Sequence, residues 1–348
     1  MVKGRFKCRP KLRDVHEAVQ FLQQFSTPLR RVTVLRQLTA WLHVDLRPLH
    51  VALYVLDHVV LPFRIGAALL RADVVIVREF SHVLAPWVLW PLRQWRHRIV
   101  LFVHRVIVDP ATVFERRHNS ELVRLCRLGF NLMALESAEG LHVAGAFESP
   151  GSGKIFAINF VLSQRSGYSF RAFRRNPKVA VVGQVRPEKG VRELLEILLD
   201  VCARRGWQLM CGVPSVDFAL LKGMPDGMLR DTTTERQYQD LIQEADVVCV
   251  NLQRREYMYR ASGVVADSLS MCRPVVAPKL HVVHRQLSVP ATVGGCFVDL
   301  SGIEQAIEQV LKSHGLSEAF DTQFAARSID KVRDAFWLAL QDRISASK

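Results

Sequence analysis

The chain lacks the short signatures of several common functions, and each absence removes a class. None of its seven cysteines stands in a Cys-x-x-Cys pair, and their number is odd. That pattern fits reduced, mostly buried thiols in a cytoplasmic protein better than a disulfide or zinc framework. There is no Asp-x-Asp, which removes the usual support for metal-dependent sugar transfer, and no metal site is expected. No Gly-x-Gly-x-x-Gly follows an apolar run, which argues against a nicotinamide enzyme. No uninterrupted apolar run reaches the about 18 residues of a spanning helix. The segment 50–70 comes closest and is broken by Asp57, His58 and Arg64. The basic N-terminus has no apolar stretch behind it of the kind a secretory signal needs.

Acidic residues are also scarce. There are 33 Asp and Glu against 47 Lys and Arg, a formal net charge of +14 over 348 residues. Residues 1–150 alone carry 21 Lys and Arg against 12 Asp and Glu. Such a surface favours nucleic acid, anionic lipid or phosphorylated substrates. With 49% hydrophobic residues the chain is globular, and its length points to two domains.

Apolar runs at 31–35, 51–56, 73–77, 98–103 and 131–135 read as strands, with helix-length segments such as 111–128 between some of them. A polar, basic stretch at 163–176 reads as a linker. Alternation then resumes, with strands at 178–182, 207–211, 246–250, 274–277 and 295–299. Helices fall between them at 191–204, 234–244 and 263–271, and a further one at 302–312; 317–344 is largely helical in pattern. Alternating strands and helices predict parallel sheets covered on both faces. The expected fold class is α/β: two doubly wound Rossmann-like domains facing a cleft, 1–162 and 177–316, followed by a helical segment 317–348.

The richest stretch is Val181-Val182-Gly183-Gln184-Val185-Arg186-Pro187-Glu188-Lys189-Gly190. An apolar strand meets a basic loop and then a helix start, which together favour a phosphate. A second helix opens at Ser262-Gly263, where the hydroxyl can cap and the free N–H groups can face an anion. The two turns predict a diphosphate ligand gripped from both sides. Pro150-Gly151-Ser152-Gly153-Lys154 is not a phosphate loop, because Glu148 and Ile155 stand where the motif needs glycine and Ser or Thr. His281 and His284 have no ligand partner close in sequence.

These pieces, with Ala245-Asp246-Val247-Val248 and Arg273-Pro274-Val275-Val276-Ala277 in the same order and spacing, resemble the GT-B nucleotide-sugar glycosyltransferases. They are similar above all to the retaining family 4 type of bacterial polysaccharide synthesis. The resemblance covers about residues 177–312. It implies that Arg186 and Lys189 hold the donor diphosphate with Gly183, Gln184, Ser262 and Gly263. Asp267 falls on the second glutamate of the family's paired-glutamate motif and Tyr259 on the first, so one carboxylate is shortened and the other is absent. Family members often carry a histidine facing the cleft after such a strand, so the resemblance implies His104, after the strand 98–103, at the cleft, with Glu136, after the strand 131–135, as a further candidate there. The implied catalytic set is His104, Arg186, Lys189 and Asp267. The expected donor is a nucleotide-diphosphate sugar, the expected acceptor lipid-linked or polysaccharide, and the expected chemistry retaining and metal-independent, without a cofactor. A catalytically silent scaffold or membrane-associated partner protein of the same fold is the other reading.

The segment 80–103 sets Trp87, Trp90 and Trp95 beside Arg93, Arg96, His97 and Arg98. This composition suits contact with an anionic membrane surface. The resulting expectation is a cytoplasmic protein peripheral to the inner face of a membrane. No nucleic-acid-binding module is recognisable, and nucleic acid is not an expected partner.

Overall fold

The computed structural model describes residues 60–77, 85–162 and 167–345. The expected strands at 31–35 and 51–56 lie outside them. Two parallel sheets organise the rest. The first runs β1 (Val75–Val77), β2 (Ile99–Phe102), β3 (Asn131–Leu135), β4 (Ile155–Ile158), neighbours in that order. Its strands are apolar on both faces, as a parallel sheet covered on two sides requires. On one face pack helix α1 (residues 60–69), α2 (Ala85–Val88), α3 (Val113–Arg127) and α4 (Glu139–Val143), through Ile65, Leu89, Leu122, Leu125 and Leu141. A Thr112–Glu115 capping box starts α3: Thr112 Oγ1 accepts from the Glu115 N–H at 3.2 Å, and Glu115 Oε2 accepts from the Thr112 N–H at 3.0 Å.

The second sheet holds β5 (Lys178–Val182), β6 (Gln208–Val213), β7 (Leu229–Asp231), β8 (Val247–Cys249), β9 (Val275–Pro278) and β10 (Gly294–Phe297). Its spatial order is β10-β9-β8-β5-β6-β7, all parallel. Counted from β5 this is the 3-2-1-4-5-6 order of a dinucleotide-binding fold. The chain reverses direction across the sheet between β5 and β8. Side chains along β5 alternate. Val179 and Val181 join the layer beneath α5 (Val191–Arg205), while Ala180 and Val182 join the layer of α6 (Glu235–Glu244) and α8 (Gly263–Ser270).

Five further helices complete the described chain after β8: α7 (Arg254–Tyr257), α9 (His281–Ser288), α10 (Ile303–Leu311), α11 (Leu316–Ala326) and the last, α12 (Ile329–Ser345). The 3-10 turn at Ser215–Leu221 and the edge strand β7 fill the gap that the sequence left open between 211 and 234. Residues 167–176 carry no helix or strand. The last helix does not stay with the second sheet. Phe336 and Leu340 of α12 pack on Val100, Phe102, Met133 and Phe156, covering the second face of the first sheet. The Phe156 and Phe336 rings meet edge-on at 6.0 Å.

The two sheets are tied across a polar seam. Arg105 after β2 bonds Glu256 of α7 at 2.6 Å, and Arg255 pairs with Glu115. His281 Nε2 lies 3.0 Å from Ser137 Oγ and 2.9 Å from Glu139 Oε2. Arg285 donates to the Glu136 carbonyl at 2.9 Å. At the centre is a buried ion pair between Glu136 and Arg327, side chains 1% and 0% exposed. Glu136 was expected to face the cleft. It is instead drawn inward, because Arg327 and the Phe160 N–H (2.8 Å) both bond its Oε1.

Candidate functional site

β5 runs into Gly183, whose φ of +113° only glycine adopts without strain. The turn that follows is braced from below: the Val185 N–H donates to Asp217 at 2.9 Å, and Gln253 Nε2 to the Pro187 carbonyl at 2.8 Å. A one-turn 3-10 helix, Pro187–Lys189, then brings Lys189 back over Gly183. Asn251, just past β8, donates to the Gly190 carbonyl at 3.1 Å and fixes the start of α5. The turn is therefore held by the two strands that flank the reversal of sheet order. Ligands of such sheets bind there, beyond the carboxyl ends of the strands.

The second turn arrives at the same place. A β-carbon added to Gly183 would lie 3.3 Å from Lys189 Nζ and 3.4 Å from Val264 Cγ2. Val264 is the second residue of α8, so the loop 183–190 and the helix start 262–264 are neighbours. Between them lies a small cavity of about 10 Å³, lined by Lys189, Asn251, Val264 and the apolar ends of β5 and β8. Ser262 caps α8 through the Val265 N–H at 3.4 Å and is held by Gln286, which accepts from its N–H at 2.9 Å. The Gly263 and Val264 N–H groups belong to the first turn, which has no partner within a helix.

Lys189 is half-buried, and among the described residues no carboxylate pairs with its ammonium. Burial, and after it the Arg186 guanidinium, lowers the Lys189 pKa below the usual lysine value, with Glu188 opposing. Arg260 acts on Lys189 in the same sense as Arg186. Its guanidinium lies 4.9 Å from the centre of the Tyr257 ring. Arg186 itself is exposed, bonded to Gln184 and 3.9 Å from Glu188. Arg186 and Arg260 are thus the two guanidinium groups whose charge reaches Lys189. Sequence reasoning missed Arg260, since a single arginine in an irregular stretch carries no pattern.

The other expected residues fall elsewhere. Asp267 sits one turn into α8 and accepts from the Tyr238 hydroxyl at 3.2 Å. Tyr259, where the family resemblance places a glutamate, packs at the seam. A β-carbon on Gly140 would come within 2.5 Å of Tyr259 Cβ, and the Tyr259 and His281 rings are 5.7 Å apart. His104 is exposed at the end of β2, its ring 4.3 Å from Phe102. Its neighbour Arg105 reaches Glu256 across the seam, so this strand end faces the second sheet. Cys202, Cys211 and Cys249 are buried, and burial pushes the first two thiols up to about 12, which leaves them unreactive. Among the described residues no group of three His, Cys, Asp or Glu is placed to hold a metal ion.

Gly183→Ala tests the turn. The new methyl would enter the space between Lys189 and Val264 at a backbone angle that costs about 1–3 kcal/mol. Phosphate-ligand affinity is expected to fall by about tenfold or more. Calorimetry measures it, and an unchanged affinity would contradict this placement of the ligand.

No protein-family model matches the sequence, and neither does any curated protein. Solved structures do match in shape. The α,α-trehalose 6-phosphate synthase of Burkholderia multivorans superposes with a TM-score of 0.63 at 14% identity, over 86% of this chain and 78% of that one. TarM gives 0.53 at 15% identity, over 76% and 54%. The N-terminal domain of a trehalose-6-phosphate phosphatase from Candida albicans gives 0.59 at 10% identity, over 86% and 76%. The chain has the GT-B architecture of two Rossmann-like domains.

Proposed function

We propose that this protein is a glycosyltransferase that takes a sugar from a nucleotide-diphosphate donor bound against the second sheet. One observation carries the reading: the Gly183–Gly190 turn and the Ser262–Gly263 helix start meet at the reversal of sheet order, with a half-buried lysine between them that no described carboxylate pairs. An ammonium held without a carboxylate partner disfavours the empty fold and becomes favourable when a phosphate arrives. The similarity in shape to a trehalose 6-phosphate synthase and to TarM supports the same reading.

In the reaction the bond from the sugar's anomeric carbon to the diphosphate oxygen breaks, and an acceptor hydroxyl oxygen bonds that carbon. Negative charge grows on the leaving diphosphate. Lys189, Arg186 and Arg260 with the α8 N–H groups neutralise it, which is electrostatic stabilisation of the transition state. The acceptor proton passes to an oxygen of the leaving phosphate. We assign the family 4 type, retention of configuration and independence of metal to the proposal, on the strength of the four motifs in register. Asp267, steadied by Tyr238, would meet a sugar or ribose hydroxyl, and His104 would orient the acceptor at the seam. The acceptor is proposed as lipid-linked or polysaccharide.

The test is a panel of nucleotide sugars scored by thermal stabilisation and by release of nucleoside diphosphate. A ligand at 100 times its Kd adds about 2.7 kcal/mol of apparent stability. No shift and no release across the panel would refute the proposal. One observation favours the second reading, a catalytically silent scaffold: Tyr259 fills the seam where the resemblance expects a carboxylate. That reading predicts nucleotide binding without turnover, or neither.

The lowered Lys189 pKa adds a pH signature. The charged form is the one the empty fold disfavours, so its penalty is present below the depressed pKa and relieved as pH rises through it. Diphosphate affinity should therefore fall with rising pH, beginning below the usual lysine range. Lys189→Arg should flatten the fall, because arginine keeps its charge. The same fall in both proteins would show that another group controls it.

A further inference from the structure

We infer that the face of the first domain carrying Trp87 and Trp90 docks on an anionic membrane surface. The two indoles are 62% and 48% exposed, three residues apart, where a soluble surface has little use for them. Each carries a guanidinium on one face: Arg124 of α3 lies 4.6 Å above Trp87, and Arg93 lies 4.7 Å above Trp90. Arg96 packs against Gly129, where an added β-carbon would be 2.5 Å from its Nε, and so sits at the end of α3 beside Arg127. Among the described residues the one carboxylate paired with any of these four arginines is Glu121, 3.5 Å from Arg124. The sequence has no Asp or Glu between Glu79 and Asp109.

Indole rings with a polar edge settle at the headgroup level, and arginines beside them meet anionic lipid. No described helix is long and apolar enough to cross a membrane. A nucleic acid would reward cations spread along a groove, and here two large apolar rings lie between them. The placement is compatible with turnover. The 3-10 helix Trp90–Arg98 leads into the amino end of β2, and α3 runs from the seam at Thr112 down to Arg127. The patch therefore lies toward the strand ends remote from the seam, and docking leaves the cleft open. This inference does not depend on the nucleotide reading.

The experiment is co-sedimentation of the full chain with vesicles of phosphatidylcholine alone and of phosphatidylcholine with phosphatidylglycerol. Binding is expected to the mixed vesicles and to weaken with salt. An arginine near an anionic surface contributes about fivefold to partitioning. Trp87→Ser with Trp90→Ser, and separately Arg93→Glu with Arg96→Glu, should each reduce partitioning at least tenfold while the melting temperature stays at the wild-type level. Wild-type binding that both variants retain would overturn the assignment of this face. So would absence of vesicle binding, retention on DNA in its place, or a dimer in sedimentation velocity that the Trp pair alone dissolves.

Discussion

Lys189→Ala should leave the fold intact and remove sugar transfer. Loss of a group that stabilises charge in the transition state costs about 10²–10³ in kcat. Lys189 also holds the ground-state diphosphate, so donor affinity should fall with it. Stability should move the other way. Lys189 is a desolvated cation with Arg186 and Arg260 nearby, and its removal relieves both penalties. The melting temperature of the empty variant should therefore equal or exceed that of the wild type, while the stabilisation given by nucleoside diphosphate disappears. Opposed effects on stability and activity mark a residue kept for function rather than for folding. A variant that melts early would place Lys189 among the structural residues. One that turns over at the wild-type rate would place the diphosphate elsewhere.

The second large effect is expected far from that loop. Arg327→Met should destabilise the protein by about 3–5 kcal/mol, because it strands the Glu136 carboxylate in a fully buried position. The melting temperature should drop by on the order of 10 °C. Arg327 also donates to the Val289 carbonyl at 2.7 Å and the Arg285 carbonyl at 3.1 Å, while its own carbonyl accepts from the Leu162 N–H at 3.0 Å. One residue therefore ties the end of β3 and the end of α9 through its side chain, and the segment leading out of the first domain through its backbone carbonyl. Combining Arg327→Met with Glu136→Leu should recover part of the loss, since a buried pair replaced together by apolar groups leaves no uncompensated charge. A single variant within about 0.5 kcal/mol of the wild type, the range of an ordinary surface substitution, would deny the pair its role.

Much of the second sheet was legible in the sequence because its strands are buried on both faces. Lys178–Val182 reads as a strand in both accounts, since an apolar run bounded by Pro177 and Gly183 has few other uses. Its fit to the α5 start follows from the same glycine-bounded loop. The edge strand Leu229–Asp231 was not legible: three residues with two charges carry no period. The path of α12 was not legible either, because an apolar stripe shows that a helix is buried but not against which sheet. The Glu136–Arg327 pair is 191 residues apart in sequence, a separation at which no local pattern operates. Tyr259 was read against a glutamate that the resemblance supplies. Its packing on Gly140 required knowing that α4 of the first domain comes within contact. The diphosphate turns were the easier inference, because glycine, cations and helix starts are local features.

The central claim is that a diphosphate lies between the 183–190 turn and the start of α8. Difference density from crystals soaked with a nucleoside diphosphate tests it directly. The account predicts phosphorus positions within hydrogen-bonding reach of Lys189 Nζ on one side and of the Gly263 and Val264 N–H groups on the other. A nucleotide bound in any other place, or well-ordered crystals that show none at saturating concentration, would contradict it.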